Sequence, residues 1–176
     1  QKASEIMQNG GHEEAIKILD NILQKNPYNF STFTSKGHAQ KTLGQTNQAI
    51  KSYQSAYQIK ADHGEAYFSL SNLKTYSFSS KELDAMRQHV KRIDLPLRDK
   101  TYFHFALAQA FESIGEFNEA FLHLEAGNKI KNDQSKYSIE GMDAELQSQI
   151  DVCNEEFFTT LGAGGHQTKD PIFILG

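Results

Sequence analysis

The chain has 176 residues, 38% hydrophobic and 23% charged, with 18 Lys and Arg against 22 Asp and Glu for a net charge of -4. That balance gives no electrostatic reason to expect nucleic acid or an anionic membrane as partner, while the length is enough to bury a continuous core. A single cysteine, Cys153, excludes an internal disulfide framework, and no apolar run approaches the roughly 18 residues that a membrane span needs.

No charged-then-apolar leader opens the chain, which is expected to start inside a helix, and a cytoplasmic setting is compatible with the lone cysteine. From there a Gly followed five residues later by Ala recurs, at Gly10 and Ala15, Gly44 and Ala49, Gly115 and Ala120. The copies are 34 and then 71 residues apart, so the second interval holds two units and three extra residues, and hides a degenerate copy. The spacing predicts helix pairs over about 1–25, 29–60, 64–93 and 100–131.

Small residues are required where paired helices approach, and large ones beside them. Ala15, Ala49 and Ala120 supply the small contact on the second helix of each pair. Leu19, Tyr53 and Leu124 follow four residues later, then Ile22, Ala56 and Gly127. On the first helices Ala3, Gly37, Ser71 and Ala108 are the small residues, with Phe33, Tyr67 and His104 one turn earlier as the rings that fill the space between helices. Gly10, Gly44 and Gly115 fall where a helix ends and the chain reverses, and Pro27 closes the first repeat. In the third copy Ser77 replaces the Gly, Ser80 with Leu83 reads as a capped helix start, and Pro96 breaks the chain. The three extra residues are expected to give an altered turn, or a longer connection near 93–99.

Residues 29–62 and 101–132 resemble tetratricopeptide repeats, with Gln40 and Lys74 standing where that family often has an aromatic. The resemblance covers about three quarters of the chain and implies an all-α, right-handed solenoid of helix pairs over residues 1–132. Ile139, Met142, Leu146, Ile150, Cys153, Phe157 and Leu161 then recur at steps of three or four. They predict one long amphipathic helix within 133–161 that caps the last repeat, with Cys153 as a core thiol. Residues 162–170, with three glycines and no periodicity, read as a flexible linker. They are not read as a phosphate cradle, because a helix and not a strand precedes them. Pro171 to Gly176 is a short apolar, β-branched run that reads as a buried strand without a partner.

This order, with Leu124–Asn128, Phe157–Phe158, the glycine linker and the terminal run, is similar to bacterial tetratricopeptide-sulfotransferase proteins, relatives of the protein-tyrosine sulfotransferases. The resemblance implies that 171–176 is the first strand of a sulfotransferase domain whose phosphate loop would follow Gly176. PAPS would then be the cofactor of the parent protein, with no cofactor or catalytic residue in this chain, and that C-terminal domain would be a partner of the repeats.

The seven histidines include no pair at three or four residues on one helix face, so no metal site is expected; His104 and His123 are read as packing or capping and the others as exposed. Glu13–Glu14 and Glu155–Glu156 diverge around their helices and read as solvated faces. Lys41, Lys51, Lys60 and Lys74 are spread over different helices. The groove lined by the first helices is the expected functional surface. Counting around them places Thr34, His38, Lys41, Phe68, Asn72, Phe105, Gln109 and Glu112 on it, a mix of rings and amides suited to clamping an extended peptide or protein segment. The stand-alone alternative to a sulfotransferase accessory region is an adaptor that binds a peptide or protein in that groove.

Overall fold

A computed structural model describes residues 2–135 and 138–161, which form ten helices and no strand. The chain divides after Gln134 into two units. In the first lie α1 (Lys2–Gln8), α2 (His12–Lys25), α3 (Phe30–Thr42), α4 (Thr46–Ile59), α5 (Gly64–Ser71), α6 (Ser80–Lys91), α7 (Leu97–Ser113) and α8 (Phe117–Gln134); α1 with α2, α3 with α4 and α7 with α8 pack as neighbouring pairs, while α6 packs on α7. Each pair also rests on the next, α2 on α3, α4 on α5 and α5 on α7, which is the stacking of a tetratricopeptide-like helical solenoid.

The three repeat glycines turn the chain in the same way. Gly10, Gly44 and Gly115 have φ of 81°, 72° and 81°, a left-handed conformation that a Cβ disfavours. At each, two N–H groups close the helix end. Gly44 donates to Lys41 O at 3.0 Å and Gln45 to Gln40 O at 2.8 Å, as Gly115 does to Glu112 O at 3.1 Å and Glu116 to Phe111 O at 2.9 Å.

Packing explains the small residues. Ala15 and Ala49 are fully buried. A methyl group built on Gly37 would run into the ring of Tyr53, and one on Gly127 would lie 2.6 Å from the ring of Phe105. Around these contacts Tyr67, Met86, Leu95, Phe103, Leu107 and Phe111 form one core cluster, and Ala49, Tyr53, Leu70 and Leu73 another. Gln40, in a slot the family often fills with an aromatic, is buried and its Oε1 accepts the Ser52 hydroxyl at 2.7 Å.

The degenerate third pair differs from the spacing-based expectation. α5 ends after 8 residues at Ser71, and 72–79 form an irregular connection to α6. The cap of α6 is Ser79 and not Ser80: Ser79 Oγ accepts the Glu82 N–H at 3.3 Å, while Glu82 Oε2 accepts the Ser79 N–H at 2.8 Å. Ser80 cannot form such a box, because the residue three further on, Leu83, has no acceptor. The connection after α6, residues 92–96, is one residue longer than 26–29 or 60–63, and most of the excess goes into α7, 17 residues long against 13 in α3, while α6 at 12 residues is shorter than α4 at 14.

His104 stands between the helices of the fourth pair, where it meets His123 across α7 and α8, Nδ1 to Nδ1 at 3.0 Å, with the Phe111 ring stacked on His123. Its neighbour Phe103 faces the preceding pair, fully buried 5.2 Å from the Tyr67 ring. His63, expected at the surface, is buried.

In the second unit the expected single helix is two, α9 (Ile139–Val152) and α10 (Glu155–Leu161). The break falls at Cys153 and Asn154, where Asn154 Oδ1 accepts the Phe157 N–H at 2.9 Å and caps a new start. Cys153 is exposed, so it is not a core thiol. The linker and strand expected over 162–176 lie outside the described residues.

Candidate functional site

The α3, α5 and α7 helices present their groove residues in two clusters. In the first, Phe68 of α5 stacks on Tyr102 of α7 at 5.3 Å and approaches Phe105 at 6.1 Å. One turn further along both helices, a chain of amides fixes the side chains. Asn72 Nδ2 donates to Phe68 O at 2.9 Å, which leaves Asn72 Oδ1 to accept Gln109 Nε2 at 3.2 Å. The orientation of Gln109 follows from that sequence, and its Oε1 is left buried without a hydrogen-bond partner.

Beside these residues lies a cavity of about 550 Å³. Phe68, Phe105, Ala108, Gln109 and Glu112 form the side belonging to α5 and α7. Phe117, Phe121, Leu124 and Asn128 close the other side from α8. Within this unit Phe117, Phe121 and Leu124 are 68%, 62% and 45% exposed, so the groove is walled by large apolar side chains.

The second cluster is polar. His38 Nδ1 lies 3.0 Å from the Tyr53 hydroxyl, and its Nε2 lies 3.4 Å from Glu65 Oε1. Arg98 donates to Glu65 Oε2 at 3.0 Å. The contact with His38, assisted by Arg98, holds the Glu65 carboxyl below its ordinary range despite the opposing effect of burial.

Thr34, expected in the groove, is 3% exposed and belongs to the interior. Its Oγ1 lies 2.9 Å from His63 Nε2, and the Asp99 carboxylate is on the other side of that ring at 3.9 Å. Hydroxyl, imidazole and carboxylate thus line up, but Thr34 also donates to Phe30 O, and Asp99 Oδ1 accepts the Gly64 N–H at 2.9 Å. With both Thr34 and His63 buried, the arrangement ties one repeat to the next and gives a substrate no access. Burial pushes the His63 pKa down, which keeps the ring neutral. Lys41 is exposed in the last turn of α3.

Of the eight expected residues, then, Phe68, Asn72, Phe105, Gln109 and Glu112 are brought together, His38 sits in the neighbouring polar cluster, Lys41 is in neither cluster, and Thr34 does not reach the groove. Counting missed Arg98 and Tyr102, although with Phe105, Gln109 and Glu112 they form a stripe at steps of four and three on α7. The α8 wall was missed too. Its place in the repeat predicts that Leu124 packs between helices, whereas it is 45% exposed.

Residues 30–63, which comprise α3, α4 and the connection to α5, match the family model described as Tetratricopeptide repeat, a repeat used for protein interaction. Over 175 residues the chain is 22% identical to an uncharacterized protein of Aquifex aeolicus (strain VF5). That alignment takes in 99% of this chain and 23% of the relative, so the chain spans about a quarter of that protein's length. Neither similarity names a sulfotransferase. With the glycine-turned pairs and their stacking, the match identifies residues 30–63 as a tetratricopeptide repeat within a helical solenoid.

Proposed function

We propose that the chain is a protein-interaction scaffold whose groove across α5, α7 and α8 holds an extended peptide segment. The observation that carries this reading is the convergence of Phe68, Phe105, Gln109 and Glu112 on one apolar cavity of about 550 Å³, a size suited to one or two large side chains. The rings supply contact area at little conformational cost, and the amides supply hydrogen bonds to a peptide backbone. A displayed library of random peptides selected on the folded chain tests it. Replacing Phe68, Asn72 and Phe105 together by Ala abolishes capture of the selected peptides while the far-ultraviolet circular dichroism stays helical. Capture unchanged by the triple replacement would move the binding surface elsewhere.

A role as the accessory region of a PAPS-dependent sulfotransferase is a separate proposal, supported by the order of residues 124–128, 157–158 and 171–176 alone. It is tested by reading the parent gene beyond Gly176 and assaying its product with labelled PAPS. Absence of a phosphate-loop continuation, or of sulfate transfer, removes it.

A further inference from the structure

Among the described residues that line the apolar cavity, Glu112 alone carries a charge. It is exposed, and its carboxylate has no ion-pair partner among the described residues. The acidic group of the neighbouring polar cluster is not free in this way, since Glu65 is held by Arg98 and His38. On α8, Lys129 next to the groove is engaged by Asp133 at 3.0 Å. Among the described residues, the cavity therefore has a negative charge at its edge and no cation in its lining to neutralise a terminal carboxylate.

A second feature is the orphaned Oε1 of Gln109. An acceptor buried without a partner costs about 1–3 kcal/mol, and a ligand that brings a donor recovers part of that. The terminal torsion of a Gln amide is broad, so a modest turn presents the oxygen to the groove.

We infer that the segment bound here is an internal stretch of a partner protein in which a Phe- or Leu-sized side chain fills the pocket between Phe105 and Leu124, a neighbouring Lys or Arg pairs with Glu112, and a main-chain N–H donates to Gln109. This inference rests on the reading of the surface as a peptide groove and adds the chemistry of its occupant.

The test uses the full chain, labelled with ¹⁵N, and four short Gly-Ser peptides followed by two-dimensional NMR. Three are blocked at both ends and carry a central Phe-Lys, Phe-Glu or Ala-Lys; the fourth has a free C-terminal Phe carboxylate. Phe-Lys shifts the amide signals of Phe105, Gln109 and Leu124 and binds about threefold more tightly than Phe-Glu, the scale of one exposed ion pair. Ala-Lys and the free carboxylate bind more weakly than both. Glu112→Lys, a change at an exposed position, reverses the order of Phe-Lys and Phe-Glu.

Two failures are distinguishable. If the Phe peptides shift these signals equally in the native chain and in Glu112→Lys, or if the free carboxylate binds best, the groove stands and its basic occupant is overturned. If no peptide shifts these signals, both the occupant and the groove reading fall.

Discussion

Gln109 Nε2 donates to Asn72 Oδ1 at 3.2 Å, joining α7 to α5 at the edge of the groove. The two amides are not equivalent. Asn72 also donates to Phe68 O, whereas Gln109 has a buried oxygen with no partner. Asn72→Leu strands the whole Gln109 amide and lowers stability by about 1 kcal/mol. Gln109→Leu removes the orphaned oxygen along with the bond and changes stability by less than about 0.5 kcal/mol. Urea unfolding of the two variants compares them, and equal losses would mean that the amides are equally satisfied.

Gly37 lies against the fully buried ring of Tyr53, whose hydroxyl is 3.0 Å from His38. Gly37→Ala forces the ring or the helix to move and destabilises the first unit by about 2 kcal/mol, even though Ala is the better helix former. A gain in the urea midpoint would show that helix propensity outweighs this contact.

Ser79 and Ser80 are adjacent, but only Ser79 closes a capping box with Glu82. Ser79→Ala is expected to cost about 1 kcal/mol and Ser80→Ala a few tenths, measured by thermal unfolding. The reverse order would place the helix start one residue later.

Burial first, then the like charge of His123 and Lys100, lowers the His104 pKa to about 4. A histidine lowered on folding binds fewer protons than in the unfolded chain, so stability falls as pH drops below the unfolded value of about 6.5 and goes on falling to about 4. His123, His63 and His89 are shifted the same way, chiefly by burial, and add to the effect. The His104 imidazole signal followed by NMR should titrate near pH 4 and rise in His123→Gln. A midpoint near 6.5 in the native chain would contradict the pairing.

The pairs, their turns and most of the groove were legible because each depends on local spacing. Gly44 and Gly115 mark chain reversals that need positive φ, and Phe105, Gln109 and Glu112 share a face of α7 by helical period alone. The Ser79 cap was displaced by one residue because its identity depends on an acceptor three positions on.

The order of helices and the repeat were determined by the sequence by itself, through periodicity and the small residues that let backbones approach. Only the tertiary structure decided which polar groups find partners. Thr34 is drawn inward by His63, Gln40 is satisfied by Ser52, and Gln109 keeps a buried oxygen unpaired, because hydrogen bonds between repeats join residues whose separation along the chain no local rule encodes. It also decided that Phe117, Phe121 and Leu124 of α8 line one cavity with Phe68 and Phe105, since which faces meet depends on how the helices pack and not on either face alone.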